Sequence, residues 1–199
     1  MKRASKAIAS AVLFPLCVGL VAPCARADEK DGNFKGKLQG RYAFTEIQTC
    51  YISPPGFNVD FTPIAPNPRA NQASVSGIYD FNGNGTGTGT IRFGVVFANP
   101  PLAPNAVSQT EGTCDVQYVV SPDGSVLLDR SCTATATAGV GTGSVNSAIV
   151  RQLLQLTQGG RGALIMTPPE PIIETTMNDG IMSYRICART GVLSKIHPD

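Results

Sequence analysis

The chain has 199 residues and a formal net charge of +2, with 16 Lys and Arg, 14 Asp and Glu, one histidine and no tryptophan. A balance this near neutral excludes an electrostatic grip on nucleic acid or on an anionic membrane surface. The lone imidazole, His197, stands third from the C-terminal end, which excludes Ser-His-Asp and Cys-His catalysis and most catalytic zinc sites.

Met1, Lys2, Arg3 and Lys6 open the chain with positive charge. An apolar run over 7–22 follows, and Ala25-Arg26-Ala27 precedes the acidic Asp28-Glu29. That order predicts a cleavable secretory signal peptide over 1–27. The apolar run is broken by Pro15 and Gly19. At about 16 residues it is shorter than the ~20 that span a bilayer. A lipidated Cys17 or Cys24 is the rival reading, but Leu16 and Pro23 are poor matches to the small residue expected before it. Export is therefore expected, to the periplasm or the medium. Removing the leader leaves 172 residues with 12 basic and 14 acidic side chains, a net charge of −2. No later segment is long and apolar enough to span a membrane as a helix.

Residues 28–37 are polar and read as a flexible arm, and 38–195 as one β domain. From Leu38 the apolar positions recur every second residue, which is the period of a strand. Strands are expected at 38–51, 74–81, 86–97, 114–121, 125–135, 149–157 and 181–193. Asn82-Gly83-Asn84-Gly85, Pro122-Asp123-Gly124 and Asn178-Asp179-Gly180 are hairpin turns, because Asn, Asp and Gly tolerate positive φ. Prolines mark 53–72 and 98–110 as loops. Residues 134–147 read as a weak strand or a third loop, and 151–158 as part of a strand or one short helix. Pro168, Pro169 and Pro171 interrupt 162–177, giving two short pieces or a bent edge strand. The total is about eight strands. Gly40-x-Tyr42-x-Phe44 and Gly77-x-Tyr79-x-Phe81 repeat one motif, which reads as a shared local need and not a duplication.

Four cysteines remain after the leader, an even number that favours two disulfides in an exported chain. A three-residue turn at 122–124 puts Ser121 opposite Ser125. The same register then puts Cys114 opposite Cys132, Val116 opposite Arg130 and Tyr118 opposite Leu128. Cys114–Cys132 and Cys50–Cys187 are therefore the expected bridges, the second joining the first strand to the last. The alternative joins Cys50 to Cys114 and Cys132 to Cys187. A two-residue turn at 179–180 aligns Glu174 with Arg185.

Candidate ligand-binding residues are Tyr42 and Glu46 on the first strand, Tyr118, Arg130, and Arg185 on the last. They share faces with apolar residues, so an inward face would carry charge that must pair or bind something polar. The bland expectations are that Glu46 and Arg130 mark strand ends at a rim, that Glu174–Arg185 is a solvated pair, and that Tyr42, Tyr79, Tyr118 and Tyr184 are core. The glycines of 83–89 lack the following helix and Lys of a phosphate cradle. No catalytic residue, metal ligand or cofactor is indicated.

The paired G-x-Y-x-F motifs, the Asn82-Gly83-Asn84-Gly85 hairpin and the strand count resemble small antiparallel barrels of the lipocalin/calycin and allene-oxide-cyclase-like kind. They look closest to uncharacterised exported bacterial proteins. The resemblance implies an all-β, eight-stranded up-and-down barrel, with a β-sandwich as the alternative. The mixed aromatic and charged face points to a non-catalytic role, binding a small apolar or amphipathic ligand or a surface partner. A cyclase or isomerase using Glu46 with Tyr42 or Tyr118, and a structural secreted module, are the alternatives.

Overall fold

The computed structural model describes residues 38–97, 107–139, 144–178 and 181–196. The expected signal peptide and arm lie outside the described residues. Nine strands are present among the described residues: β1 Gln39–Ser53, β2 Arg69–Asn82, β3 Thr86–Phe97, β4 Val107–Val120, β5 Ser125–Gly139, β6 Ser144–Leu156, β7 Gly162–Met166, β8 Ile173–Asn178 and β9 Ile181–Lys195. Each pairs antiparallel with its neighbour in the chain, except that β7 and β8 both lie between β6 and β9, and β9 closes back on β1. The result is one all-β sheet closed in a ring. It has nine strands but eight positions, because β7 and β8 share one. The proline segment 167–172 separates these two pieces of a single interrupted strand.

Other boundaries shift. β2 begins at Arg69 and β4 at Val107, inside segments expected to be loops. The prolines stop at Pro68 and Pro104, and alternation resumes directly after them. Residues 151–156 are strand, not helix. Their leucines pair across to β5 and β7, and that pairing outweighs helix propensity. The 121–125 turn closes as expected. Gly124 takes φ 81°, Ser121 N donates to Ser125 O at 2.8 Å, and Asp123 Oδ1 accepts from the Ser125 amide at 2.9 Å. Cys114 then faces Cys132 and Val116 faces Arg130. Cys114–Cys132 and Cys50–Cys187 are both disulfide-bonded, a pattern that fits an oxidising compartment.

The repeated motif has a structural cause. β1 and β2 run antiparallel, so the two motifs lie against each other: Gly40 opposite Phe81, Tyr42 opposite Tyr79, Phe44 opposite Gly77. Gly77 leaves space beside Phe44, whereas Gly40 takes a positive φ of 94° with Lys195 as its side-chain neighbour. At Gly77 a β-carbon would meet Phe44 at 2.8 Å and the Thr90 carbonyl oxygen at 1.9 Å. Phe44 stacks on Tyr79 with ring centres 4.3 Å apart, and Tyr42 meets Phe81 edge-on.

The interior divides along the strands. Leu38, Tyr42, Phe81, Tyr118, Val126, Leu154, Ile165 and Leu193 fill the end nearest the short turns. Beyond them the inward positions become polar: Glu46, Gln48, Arg130, Gln152, Glu174 and Arg189 are all buried. This second half is where chemistry concentrates.

Candidate functional site

Alternation along β1 carries Glu46 inward, two residues after Phe44. It is 1% exposed, as is Arg130 on β5. Arg130 Nη2 donates to Glu46 Oε1 at 2.8 Å and Arg130 Nη1 to the Tyr79 hydroxyl at 2.5 Å. Gln152 on β6 donates to the other carboxylate oxygen of Glu46. Phe44 lies beneath the guanidinium, 5.7 Å from its ring centre. The expected rim position does not hold for either charge: each sits buried in mid-strand, and each offsets part of the other's cost of burial.

A second group continues from the first. Arg189 on β9 stands 3.9 Å from Glu46 and donates to Glu174 on β8 at 2.6 Å. Arg185 Nε donates to Glu174 Oε2 at 2.9 Å. The register aligning Glu174 with Arg185 is the one found, but the pair is not solvated. Glu174 is 1% exposed because its strand position faces into the ring.

Electrostatics follow from this packing. Burial works against the charge of Arg130, yet the Glu46 carboxylate and the Tyr79 oxygen outweigh it and hold the pKa above its ordinary range. For Arg185 the balance goes the other way. Burial lowers its pKa, Glu174 opposes that, and the positive charge of Arg189 adds to the lowering. Burial raises the Tyr79 pKa, with Arg130 opposing.

The structure brings together three sequence candidates, Glu46, Arg130 and Arg185, and joins Arg189 and Glu174 to them. Tyr42 and Tyr118 lie elsewhere, at the apolar end, with committed hydroxyls. Tyr42 donates to Gly160 O at 2.7 Å, and Tyr118 donates to Leu38 O at 2.8 Å while accepting from Gly83 N. Tyr184 is not core. It faces outward, half-buried, against Gly56 of the loop after β1. Gln152 escaped sequence reasoning because a glutamine among leucines reads as a surface residue, whereas Gln48 shares by alternation the first-strand face of Glu46. The signal that could have found Gln152 was its register opposite the inward Leu128.

Three open clefts, of about 400, 200 and 330 Å3, are lined by described residues, and none is lined by Glu46, Arg130 or Arg185. The 200 Å3 cleft lies where β7 and β8 part, under Pro168, Pro169 and Pro171. There Thr167 stands in for the missing strand. Its hydroxyl accepts from Arg189 N at 2.7 Å and donates to Arg189 O at 2.9 Å. No helix among the described residues is long and apolar enough to cross a membrane, which says nothing of strands. No protein-family model matches the chain, and no curated protein matches its sequence.

Proposed function

We propose that this is an exported, non-catalytic interaction barrel that works as a pair of identical copies docked through one outer face. The observation that carries the reading is an apolar surface over the middle of β1, β9, β7 and β8, bounded by the exposed Arg41 on β1 and Glu170 in the link between β7 and β8. Outward positions there are laid side by side by the register: Tyr51, Ile186 and Ile173 in one row, Val192 and Leu164 in another, Met182 beside Met177. Ile47 joins them from β1. Seven of these residues, all except Ile186, are between 39% and 57% exposed. No outward position of 45–51, 164–166, 173–177 or 182–194 on these strands is charged. The outer faces of β2 to β6 differ, carrying Asp80, Arg92, Glu111, Asp115, Asp129 and Arg151.

Side chains of this size, half exposed, present roughly 700 Å2 together, close to the ~800 Å2 per partner of a specific interface. A face without charge meets its own copy across a two-fold axis without repulsion. The interior of the apolar half is filled by the protein's own side chains, which favours the surface version of the role over a ligand held deep in the ring. Glu46, locked to Arg130 and Gln152 away from the described clefts, lends no support to a cyclase. Export itself rests on the leader and the two disulfides.

Sedimentation of the mature protein tests the reading. A dimer at micromolar concentration is expected, with Ile47→Glu and Val192→Lys each giving a folded monomer. A wild-type monomer at ~100 μM removes the proposal.

A further inference from the structure

The buried network carries one positive charge more than its carboxylates answer. Among the described residues it holds Arg130, Arg185 and Arg189 against Glu46 and Glu174. A net charge in a low-dielectric interior is strongly disfavoured unless an opposite charge reaches it.

Two of the three guanidiniums are committed inward. Arg130 serves Glu46 and Tyr79, and Arg189 serves Glu174. Arg185 differs. Its Nε is held by Glu174, while its two terminal nitrogens have no partner among the described residues. Its side chain is 13% exposed, against 1% and 2% for Arg130 and Arg189. A guanidinium fixed through Nε, with both Nη atoms left without a partner, is a fork that matches two oxygens of one anion.

Two buried oxygens on the inward face at this end lack a hydrogen-bond partner: Gln48 Oε1 and Asn71 Oδ1. Gln48 lies opposite Arg189 and Asn71 opposite Cys50, so both share the inward face that carries Arg185. Buried acceptors without donors are uncommon and favour a guest that brings hydroxyl groups.

We propose that the polar end of the ring binds a small hydroxylated carboxylate. Its carboxylate lies bidentate on Arg185, and its hydroxyls donate to Asn71 and Gln48 as those side chains turn toward the guest, since neither buried oxygen lines a described cleft. The anion supplies the charge that the network lacks and relieves the repulsion between Arg185 and Arg189. The site rests on different residues from the outer apolar face, so either proposal can fail alone.

Calorimetric titration of the mature protein at low ionic strength, with gluconate, sulfate and glucose as probes, tests it. Gluconate should bind, sulfate at least tenfold more weakly, and glucose not measurably. Arg185→Gln should weaken gluconate at least tenfold. Arg185→Lys keeps the charge but loses the fork, so it should weaken gluconate as well. It carries the test if Arg185→Gln does not fold. The monomeric Ile47→Glu variant should bind gluconate as the wild type does. Failure of gluconate to bind, equal binding by wild type and Arg185→Lys, or glucose matching gluconate would each overturn the site. Sulfate matching gluconate would overturn the role of Asn71 and Gln48.

Discussion

A buried ion pair adds little net stability while intact and costs a great deal when halved. Arg130 is the sharpest case, because Glu46 keeps only Gln152 as a hydrogen-bond partner once it is gone. Arg130→Met should lower unfolding free energy by about 3–5 kcal/mol. Arg130→Met combined with Glu46→Gln should lose less than the two single changes added together, since no unpaired carboxylate remains. Urea unfolding of the three variants checks this, and strict additivity would show that the two groups act independently. Gly77 is the other decisive single position. Any side chain there meets the Thr90 carbonyl and the Phe44 ring. Gly77→Ala should therefore cost about 1–3 kcal/mol by overpacking, although alanine is otherwise a mild change.

At the scale of elements, the two disulfides do different work. Cys114–Cys132 spans 18 residues within one hairpin, and Cys50–Cys187 spans 137 and joins the strands that close the ring. Loop-closure entropy makes the longer bridge worth about 4–5 kcal/mol against about 3 for the shorter. Replacing Cys50 and Cys187 by alanine should lower the melting temperature more than replacing Cys114 and Cys132. Equal losses would mean that β1–β9 pairing closes the ring without help. This topology was legible early. The Pro122-Asp123-Gly124 turn set a register, the register opposed two cysteines, and the remaining pair then had to join first strand to last. The β7–β8 break was legible as three prolines. The shared position of its two halves was not, because both pieces pair with the same neighbours and nothing local records that.

For the whole molecule, the division into an apolar and a polar half was only partly readable. Alternation placed Glu46 and Arg130 on inward faces. Their depth depends on how eight strand positions stagger around the ring, a long-range property that one strand's pattern does not contain. The same packing buries Tyr79 completely, and that has a consequence for pH. Burial raises its pKa above the ordinary 10.0, and the raising effect of Glu46 adds to it against the pull of Arg130. A raised folded value means that the folded state holds the phenol proton more tightly than the unfolded state does. The resulting stability is fully present below about pH 10 and is lost as pH rises through the folded value. Tyr42 and Tyr118 are raised in the same direction, chiefly by burial. The urea midpoint should therefore be insensitive to these groups up to about pH 10 and fall above it. Tyr79→Phe should be less stable at neutral pH, because Arg130 loses an acceptor, yet its alkaline fall should be shallower. Phenolate absorbance gives the independent reading. Tyr79 should ionise only as the ring opens. If Tyr79 ionised near pH 10 without unfolding, it would have to be reachable by water, and its complete burial would be wrong.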